Sequence, residues 1–81
     1  MKLKDTVELM NNPDYKDRFK AEYLQLKIRI KSLSEMLSEY KKGTLPFTPK
    51  CSYDLLNRQL NSMVMYKACL EERAKIENIK L

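Results

Sequence analysis

Between Phe19 and Tyr40 the apolar residues fall at Phe19, Tyr23, Leu26, Ile30, Leu33, Leu37 and Tyr40, in alternating steps of four and three. Steps of that size return each side chain to one face of a helix, so the pattern is the seam of a helix packed lengthwise against another. A half-buried strand would instead alternate every second residue, and this stretch does not. The seam therefore demands a long helix and a partner to cover it.

The flanking residues set the bounds. Asn12-Pro13-Asp14 reads as a helix start: asparagine as N-cap, proline at the first helical position where its missing N–H is harmless, and an acid near the positive end of the dipole. Lys41-Lys42-Gly43 reads as a stop, with cations at the negative end and a glycine able to turn left-handed. A helix over 13–42 would be roughly 45 Å long at about 1.5 Å per residue. Residues 43–51 hold two prolines and the chain's one glycine, which makes them a corner. Leu45 and Phe47 are positioned to plug it.

A second periodic segment, 52–81, carries Leu56, Leu60, Met63, Leu70 and Ala74, with Tyr66 and Lys67 straddling the expected position and Ile76 and Ile79 beyond. Two amphipathic helices of similar length joined by a short corner lie antiparallel. Ahead of them, residues 1–11 place Leu3, Val7 and Met10 at helical spacing, a helix too short to persist without docking on a neighbour. The expected fold is all-α: a short N-terminal helix, then an antiparallel two-helix hairpin, all within one domain over 1–81.

Some apolar residues exceed what a hairpin can shield. Leu24 and Ile28 project roughly opposite the long helix's seam, and Leu55, Val64, Met65 and Cys69 fall outside the best stripe of the last helix. Two helices cover one face each, so self-association is the economical way to bury the surplus. Scattered surface apolars are the plain alternative. Cys69, inside the helical pattern, reads as a small packing hydrophobe. With only two cysteines and no histidine, neither a disulfide scaffold nor a common zinc pattern is available, and a reducing cytoplasm is the simplest home. No signal peptide or membrane span is evident.

Sixteen basic against eleven acidic residues leave a net charge of +5, which draws anionic partners without naming one. The basic residues concentrate at Lys27, Arg29 and Lys31, a stretch without an acid. Arg29 also extends the row Tyr15, Arg18, Glu22, Gln25 along the edge of the seam. An aromatic near a helix start followed by arginines could stack on a base while guanidinium groups clamp phosphate. A solvated basic face with a packing tyrosine explains the same row. No histidine, glycine-rich phosphate loop, metal-ligand cluster or nucleophile motif supports catalysis, so no enzyme activity and no cofactor are expected.

The order Tyr15, Arg18-x3-Glu22-x3-Leu26-x3-Ile30-x2-Leu33, a corner, then Leu56-x2-Gln59-Leu60-x2-Met63-x2-Tyr66-x3-Leu70-x2-Arg73 resembles the helical hairpin of phage anti-CBASS protein 2 and anti-Thoeris protein 1, over about residues 13–76. That resemblance implies a phage or prophage protein that assembles into a hexamer in the bacterial cytoplasm and sequesters cyclic di- or trinucleotide signals without cleaving them. It implies that Tyr15 stacks on a base. By the same resemblance the phosphate-holding residue falls near Arg29 or Lys31, and Arg73 would contribute to a separate trinucleotide pocket at a subunit junction.

Two other readings compete: a helical oligomeric adaptor for a protein partner, and DNA or RNA binding through the basic belt. The modest charge and the lack of a helix-turn-helix spacing or RNA motif speak against nucleic acid polymers.

Overall fold

A computed structural model describes residues 1–81, and its secondary structure is all helical, without strands. A 3-10 turn, Leu3–Thr6, runs into α1, Val7–Met10; α2 spans Tyr15–Lys42 and α3 spans Tyr53–Ile76. Helices α2 and α3 form the antiparallel hairpin: Tyr15 meets Glu77, Tyr23 meets Glu71, and Tyr40 meets Tyr53, so the partner number falls on α3 as it rises on α2. The molecule measures 43 × 24 × 16 Å. None of its helices is long and apolar enough to cross a membrane.

Local chemistry fixes the ends. Helix α2 starts at Tyr15 rather than Pro13, because Asn12 Oδ1 accepts the Asp14 N–H at 2.8 Å and closes a turn of its own. Asp14 becomes the N-cap, its carboxylate accepting the Lys16 N–H at 2.9 Å. Gly43 ends α2 at φ 74°. The Thr44 N–H then reaches back to the Glu39 carbonyl at 3.0 Å, the pattern a left-handed residue after a helix allows. Ser52 caps α3 through the Leu55 N–H at 3.2 Å.

The far end of α3 departs from expectation. The helix stops at Ile76, and Asn78 takes φ 57°, the left-handed conformation asparagine tolerates. The Ile79 N–H returns to the Ala74 carbonyl at 2.8 Å, and Ile79 is buried while Ile76 stands out at 75% exposure. The periodic pattern placed both isoleucines on one tapering helix. The turn instead folds the second of them under the hairpin.

The core gathers at that end: Phe19, Tyr23 and Leu26 of α2 pack with Leu70 and Ala74 of α3 and with Ile79, and Ile30 and Met63 continue it. Toward the corner the packing thins to Leu37 and the edge-to-face pair of Tyr40 and Tyr53, 5.7 Å between centroids. That pair already closes the corner, so Leu45 is half-buried but Phe47 stays exposed instead of plugging it. Of the two residues straddling the α3 seam, Lys67 is the half-buried one and Tyr66 faces out. A lysine stem can line apolar surface with its ammonium in water.

The two surplus apolar faces meet different fates. Leu24 and Ile28 are half-buried, because the chain's own N-terminal segment lies on that side of α2. Thr6, fully buried, donates its hydroxyl to the Leu3 carbonyl at 2.7 Å and accepts from Gln25 Nε2 at 2.9 Å; Leu3 lies in one cleft with Ile28. A second copy of the chain is not needed there. On α3, Leu55, Val64, Met65 and Tyr66 remain exposed, and so does Cys69, a packing hydrophobe by its sequence pattern that lies outside the helix's best stripe. Cys69 lies on the side of α3 turned away from Leu70 and Ala74, where the apolar pattern continues without any neighbour to bury it.

Candidate ligand site at the open end of the hairpin

Residues from both ends of the sequence meet where α2 begins and α3 ends. The Tyr15 hydroxyl donates to Glu77 Oε1, Arg73 Nη2 donates to the Tyr15 oxygen at 2.8 Å, and Arg73 Nε donates to Glu77 Oε2 at 2.9 Å. Three side chains thus close a ring of charge-assisted hydrogen bonds. Beneath it, the Arg73 guanidinium lies 4.9 Å from the Phe19 ring centroid, and Tyr15 meets Phe19 edge-on at 6.2 Å. Lys16 Nζ approaches the Asn78 carbonyl at 3.3 Å, tying the same corner of α2 to the turn after α3.

Placement follows from the local fold. Tyr15 is the first residue of α2, so it stands at the open end of the hairpin and is 45% exposed while its hydroxyl reaches the end of α3. Arg73 sits one turn before the end of α3 and Glu77 caps it, the i,i+4 spacing that lets the two side chains meet. The charges respond to one another. Donation from Tyr15 and then from Arg73 holds the Glu77 carboxyl below its ordinary range. The same carboxylate raises the pKa of the Tyr15 hydroxyl and that of Arg73. Arg73 is a permanent cation here, but its charge is already partnered.

The other sequence-derived candidates lie elsewhere. Arg18 turns back from α2, and its Nη1 donates to the Asn12 and Pro13 carbonyls at 3.0 and 2.7 Å, so it ties down the chain entering α2. Gln25, from the same row, serves Thr6. Arg29 opens onto a cleft of about 370 Å³ with Ile28, Leu33, Met36 and Met63. Lys31 borders a different one, also of about 370 Å³, together with Lys27, Ser34, Glu35 and Lys67. Within one protomer, then, Tyr15 and Arg73 share a site, while Arg29 and Lys31 flank two further clefts along α2.

Two contributors escaped the sequence reading. Glu77 had a visible signal in its spacing from Arg73, yet nothing local connects it to Tyr15, far away in the sequence. Phe19 was legible as a core residue, but its second role, supporting the guanidinium with its ring face, depends on the angle at which α3 crosses α2.

The fold and this cluster define a helical-hairpin protein that presents a mixed aromatic and guanidinium surface at its open end. The chain belongs to the Sequestin family, whose model matches residues 13–76. The match covers the hairpin, bears out the resemblance to the anti-CBASS and anti-Thoeris proteins, and carries a name that denotes sequestering. No curated protein and no solved structure matches the chain.

Proposed function

We propose that this protein sequesters cyclic di- or trinucleotide second messengers, binding them without cleavage and so keeping them from a bacterial immune effector in the host cytoplasm. The observation that carries the reading is the contact of Tyr15 with Arg73, an aromatic ring and a guanidinium hydrogen-bonded to each other inside the segment that matches a sequestering family; in this reading, two residues that the resemblance assigns to separate pockets form one site. Binding alone suffices: a protein made in excess of its ligand lowers the free ligand by mass action.

Arg29 or Lys31, each in a separate cleft along α2, would add a phosphate contact from a neighbouring protomer, and Arg18 would hold the entry to α2 so that Tyr15 keeps its direction. The outer face of α3, with Leu55, Met65 and Ile76 exposed, supports a homo-oligomer, a hexamer by the family resemblance, in which clefts from neighbouring protomers combine. Neither a membrane nor DNA is a partner in this reading. Isothermal calorimetry with a panel of cyclic di- and trinucleotides, on the wild type and on Tyr15→Ala and Arg29→Ala, tests it, with the oligomeric state checked alongside. Tight uptake of one class, lost in the variants while the assembly persists, is the expected result. No uptake across the panel overturns it.

The exposed α3 stripe also favours a second reading, a helical oligomeric adaptor that offers Leu55, Met65 and Ile76 to a different protein. Under it, substitutions at Tyr15 would leave partner binding intact.

A further inference from the structure

We propose that Glu77 is a built-in competitor for Arg73, a carboxylate that occupies the guanidinium until a multiply charged anion displaces it and, in doing so, frees Tyr15. The proposal rests on the reading of Tyr15 and Arg73 as a ligand site and adds how that site is kept closed.

The backbone under Glu77 is fixed on both sides. Its N–H is held by the Arg73 carbonyl at 2.8 Å, and two residues later Ile79 is pinned by the Ala74 carbonyl and buried in the core. The turn itself therefore does not swing away. The side chain is different: Glu77 is 30% exposed and Arg73 49%, so the pair can separate by rotation about side-chain bonds alone. An exposed ion pair contributes little to stability, because water screens it and two flexible side chains lose freedom to form it. Exchanging one acceptor for another at Arg73 therefore carries a small penalty.

What the exchange demands of the incoming ligand follows from the hydrogen bonds. Glu77 accepts from Arg73 Nε and from the Tyr15 hydroxyl, so it engages both groups that a nucleotide would need. A weakly held monovalent anion offers no better acceptor set than a carboxylate. An anion with several phosphate oxygens offers a bidentate match to the guanidinium and a repulsion that drives Glu77 outward. As Glu77 leaves, the Tyr15 hydroxyl loses its acceptor, and a bidentate phosphate that takes Arg73 Nη2 along with Nε also ends the 2.8 Å bond from Nη2 to the Tyr15 oxygen, so the ring is free to turn over a base while Phe19 continues to support the guanidinium. One displacement thus prepares both the phosphate contact and the stacking surface. The depressed pKa of Glu77 agrees with a carboxylate that remains charged, and so remains competitive, at neutral pH.

The test uses inorganic pyrophosphate and the Arg73 Nε–Hε resonance of the full chain, titrated at low salt in the wild type, in Glu77→Gln and in Glu72→Gln. Glu72 is the neighbouring exposed acid on α3, absent from the ring of hydrogen bonds, and controls for a general change in charge. The expected result is a titration midpoint at least about tenfold lower in Glu77→Gln than in wild type, with less than about a twofold change in Glu72→Gln, and wild-type Glu77 side-chain carbon and Tyr15 ring signals that move together with Arg73. Equal midpoints, an equal effect of Glu72→Gln, no saturable shift in Glu77→Gln, or movement of Arg73 without Tyr15 and Glu77 each overturn the proposal. Because pyrophosphate reports on Arg73 directly, a chain that takes up no cyclic oligonucleotide leaves this outcome readable, and the two failures stay distinct.

Discussion

The guanidinium of Arg73 rests on the ring of Phe19, 4.9 Å from its centroid, and Phe19 is itself part of the buried core. The most exposed charge of the candidate site is therefore seated on one of the least exposed residues. An arginine held this way keeps its direction through packing as well as through its hydrogen bonds.

Substituting Phe19→Leu should separate the two contributions. The core keeps an aliphatic side chain, so urea denaturation should show a loss of about 1–2 kcal/mol, within the range of ordinary core substitutions. Arg73 loses its aromatic floor, and its Nε resonance should broaden or shift toward that of a solvated arginine. A variant as unstable as a cavity mutant, with Arg73 unmoved, would contradict this role.

Tyr23 should titrate far from its usual range. Its hydroxyl donates to Glu71 Oε2 at 2.7 Å, and this bond, with burial, raises its pKa from 10.0 to about 12. A folded pKa above the unfolded one stabilises the fold fully below pH 10.0 and loses that contribution as pH rises toward about 12. Absorbance titration of the phenolates should show a component at about 12 that disappears in Tyr23→Phe, while the raised titration of Tyr15 is unchanged. Stability of the wild type should fall across the same alkaline window, and that part of the fall should be missing in the variant.

The thin core makes its members unequal. Leu70 is 1% exposed and faces Phe19, Tyr23 and Leu26, so Leu70→Ala should cost about 2–5 kcal/mol and leave so small a chain largely unfolded at room temperature. Met65, at 71% exposure, should change the stability of the isolated protomer by less than about 0.5 kcal/mol when replaced by alanine. If the outer α3 face joins copies of the chain, Met65→Ala will shift the sedimentation profile toward smaller species instead.

The N-terminal segment should peel away as a unit. Thr6 is its one fully buried residue and couples it to α2 through Gln25. Thr6→Val removes a buried acceptor and leaves Gln25 Nε2 short of a partner, a change of about 1–3 kcal/mol felt mainly by that segment. Amide exchange at residues 3–10 should accelerate while α2 amides near Leu26 stay protected. Uniform acceleration throughout would mean that the segment and the hairpin unfold together.

The hairpin was legible because its information is local and periodic. The seam from Phe19 to Tyr40, the glycine at the end of α2 and the prolines of the corner each act through nearest turns of chain, and each lies where the sequence placed it. The errors occur where a side chain had a choice of partners. Asn12 formed a turn in place of capping, Ile79 left the helix to reach the core, and Phe47 stays exposed where Tyr40 and Tyr53 already meet. The site is harder still. Tyr15, Arg29, Lys31 and Arg73 all stand out by residue type, but that Tyr15 and Arg73 touch while Arg18 is engaged with backbone carbonyls depends on crossing angles and on a turn after α3, which no spacing encodes.

The exposed Cys51 acquires a practical meaning from this architecture. It lies at the corner, just ahead of α3, and Arg73 lies about 30 Å further along that helix at about 1.5 Å per residue. A maleimide dye on this thiol, with Cys69 changed to serine, would travel with the rigid hairpin yet stand clear of the opposite tip. Its rotational anisotropy would then report molecular size in real time, so that assembly and ligand uptake could be followed in one cuvette without a tag at either terminus.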